Sequence, residues 1–182
     1  KQTSKRYVSS VFQGMYKKKI FDKIGLLDEK VGRVEDNELH YRIRKNGYKI
    51  RYSNDILSYQ YTRPTVNRML KQKYSNGYWI GKVSHIYPKA FSIFHFVPFV
   101  FVLGIIFSLL MLPLTELFVV LLTVAYGLFT ILVTLMTIIN NKFNVTMLLI
   151  PILLFLVHFS YGVGTLVGLV KGFSWKKEYN KE

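Results

Sequence analysis

The chain has 182 residues, a formal net charge of +15 and no cysteine, which excludes a disulfide framework, a thiolate metal site and a cysteine nucleophile. The charge is uneven: residues 1–89 hold 20 of the 25 Lys and Arg and 7 of the 10 acids, a surplus of +13. Residues 90–170 carry only Glu116 and Lys142 as formal charges, which excludes an ordinary water-soluble reading of that half.

In chain order, residues 8–12 alternate weakly and predict a strand, closed by Gly14. Residues 17–24 predict a short helix that ends at Gly25, a usual C-terminal cap, and 26–34 a loop. Residues 35–46 predict a helix with acids in its first turn, basic residues later and Gly47 just past its end. Residues 48–52 and 56–61 predict strands around the turn Ser53-Asn54-Asp55, so the first half is mixed α and β. A helix over 64–83, with Pro64 at its first position, places Val66, Met69, Leu70, Tyr74 and Tyr78 near one face. Arg68, Lys71, Lys73 and Lys82 supply its charge. A basic helix with aromatic residues directly before a membrane span suits the bilayer interface; packing on the soluble part is the alternative.

A spanning helix needs about 20 apolar residues. Residues 90–112, 117–139 and 145–170 meet that length, and the charged residues fall in the gaps between them. The positive-inside rule puts the basic first half in the cytoplasm. Three full crossings then place Glu116 outside, Lys142 inside and the basic tail 171–182 outside, although Lys171, Lys176, Lys177 and Lys181 favour the cytoplasm. The tail is therefore an exception to the rule, or one apolar run is re-entrant, as Pro98 and Pro151 allow. Trp175 beside Lys176 reads as an interfacial anchor, and Gly162, Gly164 and Gly168 as a surface for close helix packing. His95 and His158 lack the partners at i+3 or i+4 of a helical metal site and read as hydrogen-bonded or interface histidines.

Glu35-Asp36-Asn37-Glu38 is the densest acidic cluster of the basic half. Carboxylates at a helix start cap free backbone N–H groups and complement the helix dipole. The functional alternative is a general base, because a carboxylate held there can accept a proton from a substrate hydroxyl. Adjacent helical residues point about 100° apart, so the two would divide the work, one facing a cleft and the other bracing the loop.

Gly14-Met15-Tyr16, Ile24-Gly25-Leu26-Leu27-Asp28-Glu29, Glu35-Asp36-Asn37-Glu38-Leu39, Arg42 and Gly47-Tyr48-Lys49-Ile50 follow one another in that order. This series resembles the acceptor-side half of family 2 glycosyltransferases, which have a GT-A fold. The likeness continues through Tyr61, Arg63-Pro64-Thr65, Leu70, Gln72 and Gly77-Tyr78-Trp79, and there it resembles the membrane-anchored, succinoglycan-type transferases of bacterial exopolysaccharide synthesis. It covers about residues 12–83. The resemblance implies that Asp36 is the catalytic base and Glu35 its partner, which orients the loop or the acceptor. It implies direct, inverting displacement from a nucleotide-sugar donor to a lipid-linked saccharide. Arg63 and Gln72 match positions that contact the donor diphosphate or the lipid-linked acceptor, or that simply sit at the interface. The family's Asp-x-Asp, which holds a divalent metal (Mg2+ or Mn2+), does not occur in this chain. That cofactor is expected only through the family's amino-terminal half, so the sequence reads as a carboxy-terminal fragment that is inactive alone. Arg68-Met69-Leu70-Lys71-Gln72 departs from the Gln-x-x-Arg-Trp of processive synthases, which favours single addition.

The expected organisation is thus an α/β, partial GT-A segment over 1–63, an interface helix over 64–89, about three transmembrane helices over 90–170 and the tail. The expected setting is a bacterial cytoplasmic membrane with the catalytic half cytoplasmic. A non-catalytic membrane protein whose basic domain binds anionic lipid or a protein partner is the alternative. Nucleic acid is not an expected partner, since nothing beyond charge points to it.

Overall fold

The computed structural model describes residues 7–11, 13–53, 55 and 57–181. The regular elements are β1 (Tyr7–Val8), α1 (Lys18–Ile24), α2 (Glu35–Lys45), β2 (Ile50–Arg51), α3 (Val66–Val83), α4 (Val97–Met111), α5 (Leu117–Asn140) and α6 (Ile150–Tyr179). Short 3-10 turns over Pro88–Ala90, Ile93–Phe96 and Val145–Leu149 join the later helices.

The helices of the first half form close to where the sequence puts them. Gly25 ends α1 with φ of +82°, a conformation in which a side chain would be strained, and its N–H bonds Phe21 O. The strands are far shorter than expected. Tyr7 pairs with Arg51 and Val8 with Ile50, antiparallel, and residues 57–61 are irregular and exposed instead of a strand. Phe12, Asn54 and Ile56, which the expected strands and turn include, lie outside the described residues. Alternation yields a strand only where a neighbour completes the ladder, and here that neighbour is two residues long. Among the described residues the expected α/β half is therefore two helices and one small ribbon.

Two apolar clusters organise the chain. Leu39, Ile43 and Ile50 gather Val8, Tyr16, Phe21 and Tyr48 on one side of α2. Val31, Val34, Ile80, Val83, Ala90 and Phe91 form the other, with Trp79, Tyr87 and Trp175 packed against them. The second cluster joins the segment before α2 to α3 and the far end of α6.

α3 lies along α6 and runs in the same direction: Leu70 O accepts from Ser160 Oγ (2.9 Å), Gly77 abuts Tyr161 and Thr165, and His85 reaches Leu169 O (2.8 Å). The expected stripe of α3 meets α6 at Leu70, Tyr74 and Tyr78, whose carbonyls lie against Ser160, Gly164 and Gly168. Val66 and Tyr74 are exposed, and the buried face is Gly77, Ile80, Gly81 and Val83. A Cβ at Gly77 would strike the carbonyl of Tyr161, and one at Gly168 the carbonyl of Tyr78, so the two backbones touch as they do at small-residue helix contacts. Hydropathy ignores glycine, so the periodicity found this stripe without Gly77 and Gly81, which lie at its centre.

Among the described residues three helices are long and apolar enough to cross a membrane: Ile93–Met111, Leu117–Asn140 and Val145–Tyr179. α4 and α5 form an antiparallel hairpin, with Phe101 stacked on Tyr126 (4.4 Å) and Phe107 edge-on to Phe118 (4.9 Å). Their large apolar side chains face outward, as lipid-facing residues do. α4 runs opposite to α6, since Pro98 meets Gly162 and Phe101 meets Phe155. α6 continues to Tyr179 through the residues expected as a basic tail. Its last turn touches the first half: Tyr179 OH donates to Asp28 Oδ2 at 2.5 Å. Trp175 packs edge-on to Trp79 (6.4 Å). A chain that leaves the first half and returns to it crosses a bilayer an even number of times. The contact of Tyr179 with Asp28 fits the expected re-entrant alternative rather than three full crossings.

Candidate active site

α2 starts at Glu35 without a side-chain cap from Val34, and its first turn carries Glu35, Asp36 and Glu38. Each carboxylate meets a different fate. Asp36 Oδ1 accepts from Asn37 N (2.7 Å) and Asn37 Nδ2 (3.2 Å), so one oxygen caps a first-turn N–H. Its Oδ2 makes no hydrogen bond among the described residues, and the side chain is half-buried. Glu35 Oε2 is buried and has no partner among the described residues. A buried carboxylate oxygen left unpaired costs free energy. The capping role thus uses one Asp36 oxygen and leaves the other without a hydrogen bond.

Glu38 points inward and is fully buried. Arg42 Nε and Nη2 meet its two oxygens at 2.5 Å and 2.8 Å, a fork-on-fork pair. The same guanidinium donates to Ile24 O (2.6 Å), Gly25 O (3.3 Å) and Leu26 O (2.8 Å), and so fixes the loop after α1 against α2. That loop leads to Asp28, whose Oδ1 accepts from Lys30 N (3.0 Å) and whose Oδ2 accepts from Tyr179. Tyr87 OH lies 2.8 Å from Tyr179 OH, which ties the segment after α3 into the same contact. The start of α2 is thereby anchored to the end of a membrane helix through one short loop.

One turn beyond Asp36, His40 is completely buried, with Nδ1 2.7 Å from Ser10 Oγ and Nε2 2.6 Å from Tyr16 OH. Burial pushes His40 below its ordinary value; the Asp36 carboxylate opposes this and Arg44 adds to it. Burial and the Asp36 charge both raise Tyr16. Sequence reasoning gave neither residue a role. The i to i+4 spacing of Asp36 and His40 was a usable signal, whereas nothing local marks Tyr16, Asp28 or Tyr179 as partners.

Arg63 and Gln72 come together at the start of α3, where Arg63 Nε donates to Gln72 Oε1 at 3.2 Å in an exposed position. No hydrogen bond or ion pair joins them to Glu35 or Asp36 among the described residues. Nor do three or more His, Asp or Glu side chains converge among those residues, so they do not fit a divalent ion. His95 bonds Ser92 Oγ (2.9 Å) and His158 bonds Tyr126 OH (2.9 Å), the hydrogen-bonded state expected of both.

No family model and no solved structure match the chain. It is 30% identical over 167 residues to a dolichyl N-acetyl-alpha-D-glucosaminyl phosphate 3-beta-D-2,3-diacetamido-2,3-dideoxy-beta-D-glucuronosyltransferase of Methanococcus voltae. The match takes in 91% of this chain and 49% of that protein, so the chain spans about half the length of the curated relative it matches. Across both the first half and the apolar helices, then, this chain is similar to part of a glycosyltransferase.

Proposed function

We propose that this chain is the acceptor-side and membrane part of an inverting glycosyltransferase, with Asp36 as its general base. The observation that carries the reading is the first turn of α2. One Asp36 oxygen is held by Asn37 while the other stays open. That turn stands on a loop fastened to the end of α6. Such a placement suits an acceptor that is itself held in a membrane. The relative's printed name describes transfer to a dolichyl-linked sugar phosphate, which supports a lipid-linked saccharide as acceptor.

In this reading Asp36 Oδ2 takes the proton of the acceptor hydroxyl as that oxygen bonds to the anomeric carbon of a nucleotide-sugar. The bond from that carbon to the diphosphate breaks, and its electron pair leaves with the nucleotide. Glu35, whose Oε2 is buried, orients the loop that carries Asp36. Arg63, paired with Gln72, offers a cation to a phosphate of the donor or of the lipid. The donor nucleotide and any divalent metal are assigned to residues other than those described. The order of the motifs supports family 2 and the GT-A fold, and the same order suggests polysaccharide synthesis at the cytoplasmic face.

The test uses the full-length protein in membranes with a labelled nucleotide-sugar. Asp36→Asn is expected to lower transfer about 10²–10⁴-fold, the usual contribution of a general base, with donor binding retained. Undiminished turnover rejects the assignment.

A further inference from the structure

We propose that His40 and Tyr16 are a positioning pair behind Asp36, which keeps that carboxylate effective as a base only while the His40 imidazole is neutral. The inference rests on Asp36 being the base.

Geometry places the pair. His40 follows Asp36 by four residues on α2, so the two side chains lie on one helix face, with Cβ atoms about 5–6 Å apart. Its ring is fully buried, and both nitrogens are engaged, by Ser10 Oγ at 2.7 Å and Tyr16 OH at 2.6 Å. The Tyr16 ring also packs at 5.9 Å from the imidazole. A neutral imidazole offers one N–H and one lone pair, whereas an imidazolium offers two N–H groups. Hydroxyls donate or accept, so Ser10 and Tyr16 satisfy the ring in either state without moving a heavy atom. A purely structural buried histidine needs only one such arrangement. This one sits in a cradle that tolerates a change of charge.

The titratable and charged groups facing it are Tyr16 from the segment before α1, and Asp36 and Arg44 from α2. Arg44 also donates to Ser9 O, beside the Ser10 that binds the ring. Burial and Arg44 favour the neutral imidazole, with Asp36 opposing, so at neutral pH the ring is uncharged. When it does gain a proton, a cation forms one helical turn from the Asp36 carboxylate. It stabilises the carboxylate as an anion and so weakens it as an acceptor of the substrate proton. Proton transfer to Asp36 is then less favourable, while acceptor binding is little changed. Tyr16 OH, bound to Nε2 and within the field of Asp36, links the two groups.

The experiment is the pH dependence of kcat and KM for sugar transfer by the full-length enzyme, in wild type, His40→Gln, Tyr16→Phe and Asp36→Asn. Gln keeps a donor and an acceptor for Ser10 and Tyr16 but does not titrate. Wild type is expected to lose kcat, not KM affinity, as the pH falls below the ordinary histidine value of about 6.5. His40→Gln should retain the rate at pH 7.5 and lose that limb. Tyr16→Phe removes an acceptor for the imidazolium, so its limb should move to lower pH, which provides a readout should His40→Gln fail to fold. Wild-type limbs retained in both variants, or a drop in His40→Gln that is equal at every pH, overturn the pair. If Asp36→Asn turns over undiminished, the base assignment itself has failed. If it is inactive while the limbs stay put, only the pair has failed.

Discussion

Tyr179, at the end of α6, donates a hydrogen bond to Asp28, 151 residues earlier in the chain, at 2.5 Å. The contact closes the chain on itself. It places the carboxy-terminal end of the longest apolar helix beside the loop that leads into α2, and Tyr87 joins the pair from the segment after α3 at 2.8 Å.

This arrangement makes a testable statement about sidedness. The chain has no native cysteine, so single cysteines report cleanly. Asn46→Cys in the first half and Lys181→Cys in the tail, both exposed, are expected to react with a membrane-impermeant maleimide from the same side of sealed vesicles. Glu116→Cys, in the turn between α4 and α5, should react from the opposite side. Labelling of Lys181→Cys from the side of Glu116→Cys would restore three full crossings and break the Asp28–Tyr179 contact.

The pairing of α3 with α6 depends on glycines whose missing side chains are occupied by neighbouring backbone. Gly168→Ala puts a methyl group against the carbonyl of Tyr78, and is expected to cost about 1–3 kcal/mol or more, because a helix must shift to admit it. Gly127 on α5 faces nothing within 4 Å, so Gly127→Ala should be neutral or gain about 0.4–1 kcal/mol from the stiffer unfolded chain. Unfolding in detergent, followed by circular dichroism, compares the two. Equal stabilities would mean that the helices do not touch where the structure has them touch.

The helices were legible because each carries its signals locally: Gly25 ends α1, acids open α2, and charge-free runs define α4, α5 and α6. What the sequence hid is non-local. The stripe of α3 that meets α6 contains Gly77 and Gly81, which have no hydropathy to register, so the sequence pointed to the face but not to the backbone contact made there. The continuation of α6 past residue 170 was masked by Lys171, Lys176 and Lys177, whose charges read as a tail but project from a helix that Trp175 and Tyr179 pin in place. At the candidate site Asp36 and Glu35 were singled out by their motif. The contrast between a half-open carboxylate and an orphaned buried oxygen depends on distances that spacing does not fix.

Arg42 is the joint on which the site depends, and its removal separates a structural ion pair from a decorative one. Glu38 is fully buried, while the Arg42 side chain is 19% exposed. Arg42→Met therefore strands a buried carboxylate and three loop carbonyls, at Ile24, Gly25 and Leu26, without a donor. Breaking a buried pair from one side costs about 3–5 kcal/mol, against about 0–1 kcal/mol for an exposed one. The double replacement Glu38→Leu with Arg42→Met removes both charges and is expected to recover much of that loss. The loop carbonyls stay unpaired in the double variant, so the loop before Asp28 should remain loose, and its amide hydrogens should exchange faster than in wild type. A single-variant loss below about 1 kcal/mol would show the pair to be solvated. Full recovery of both stability and exchange protection in the double variant would show that Arg42 serves Glu38 alone and does not hold the loop.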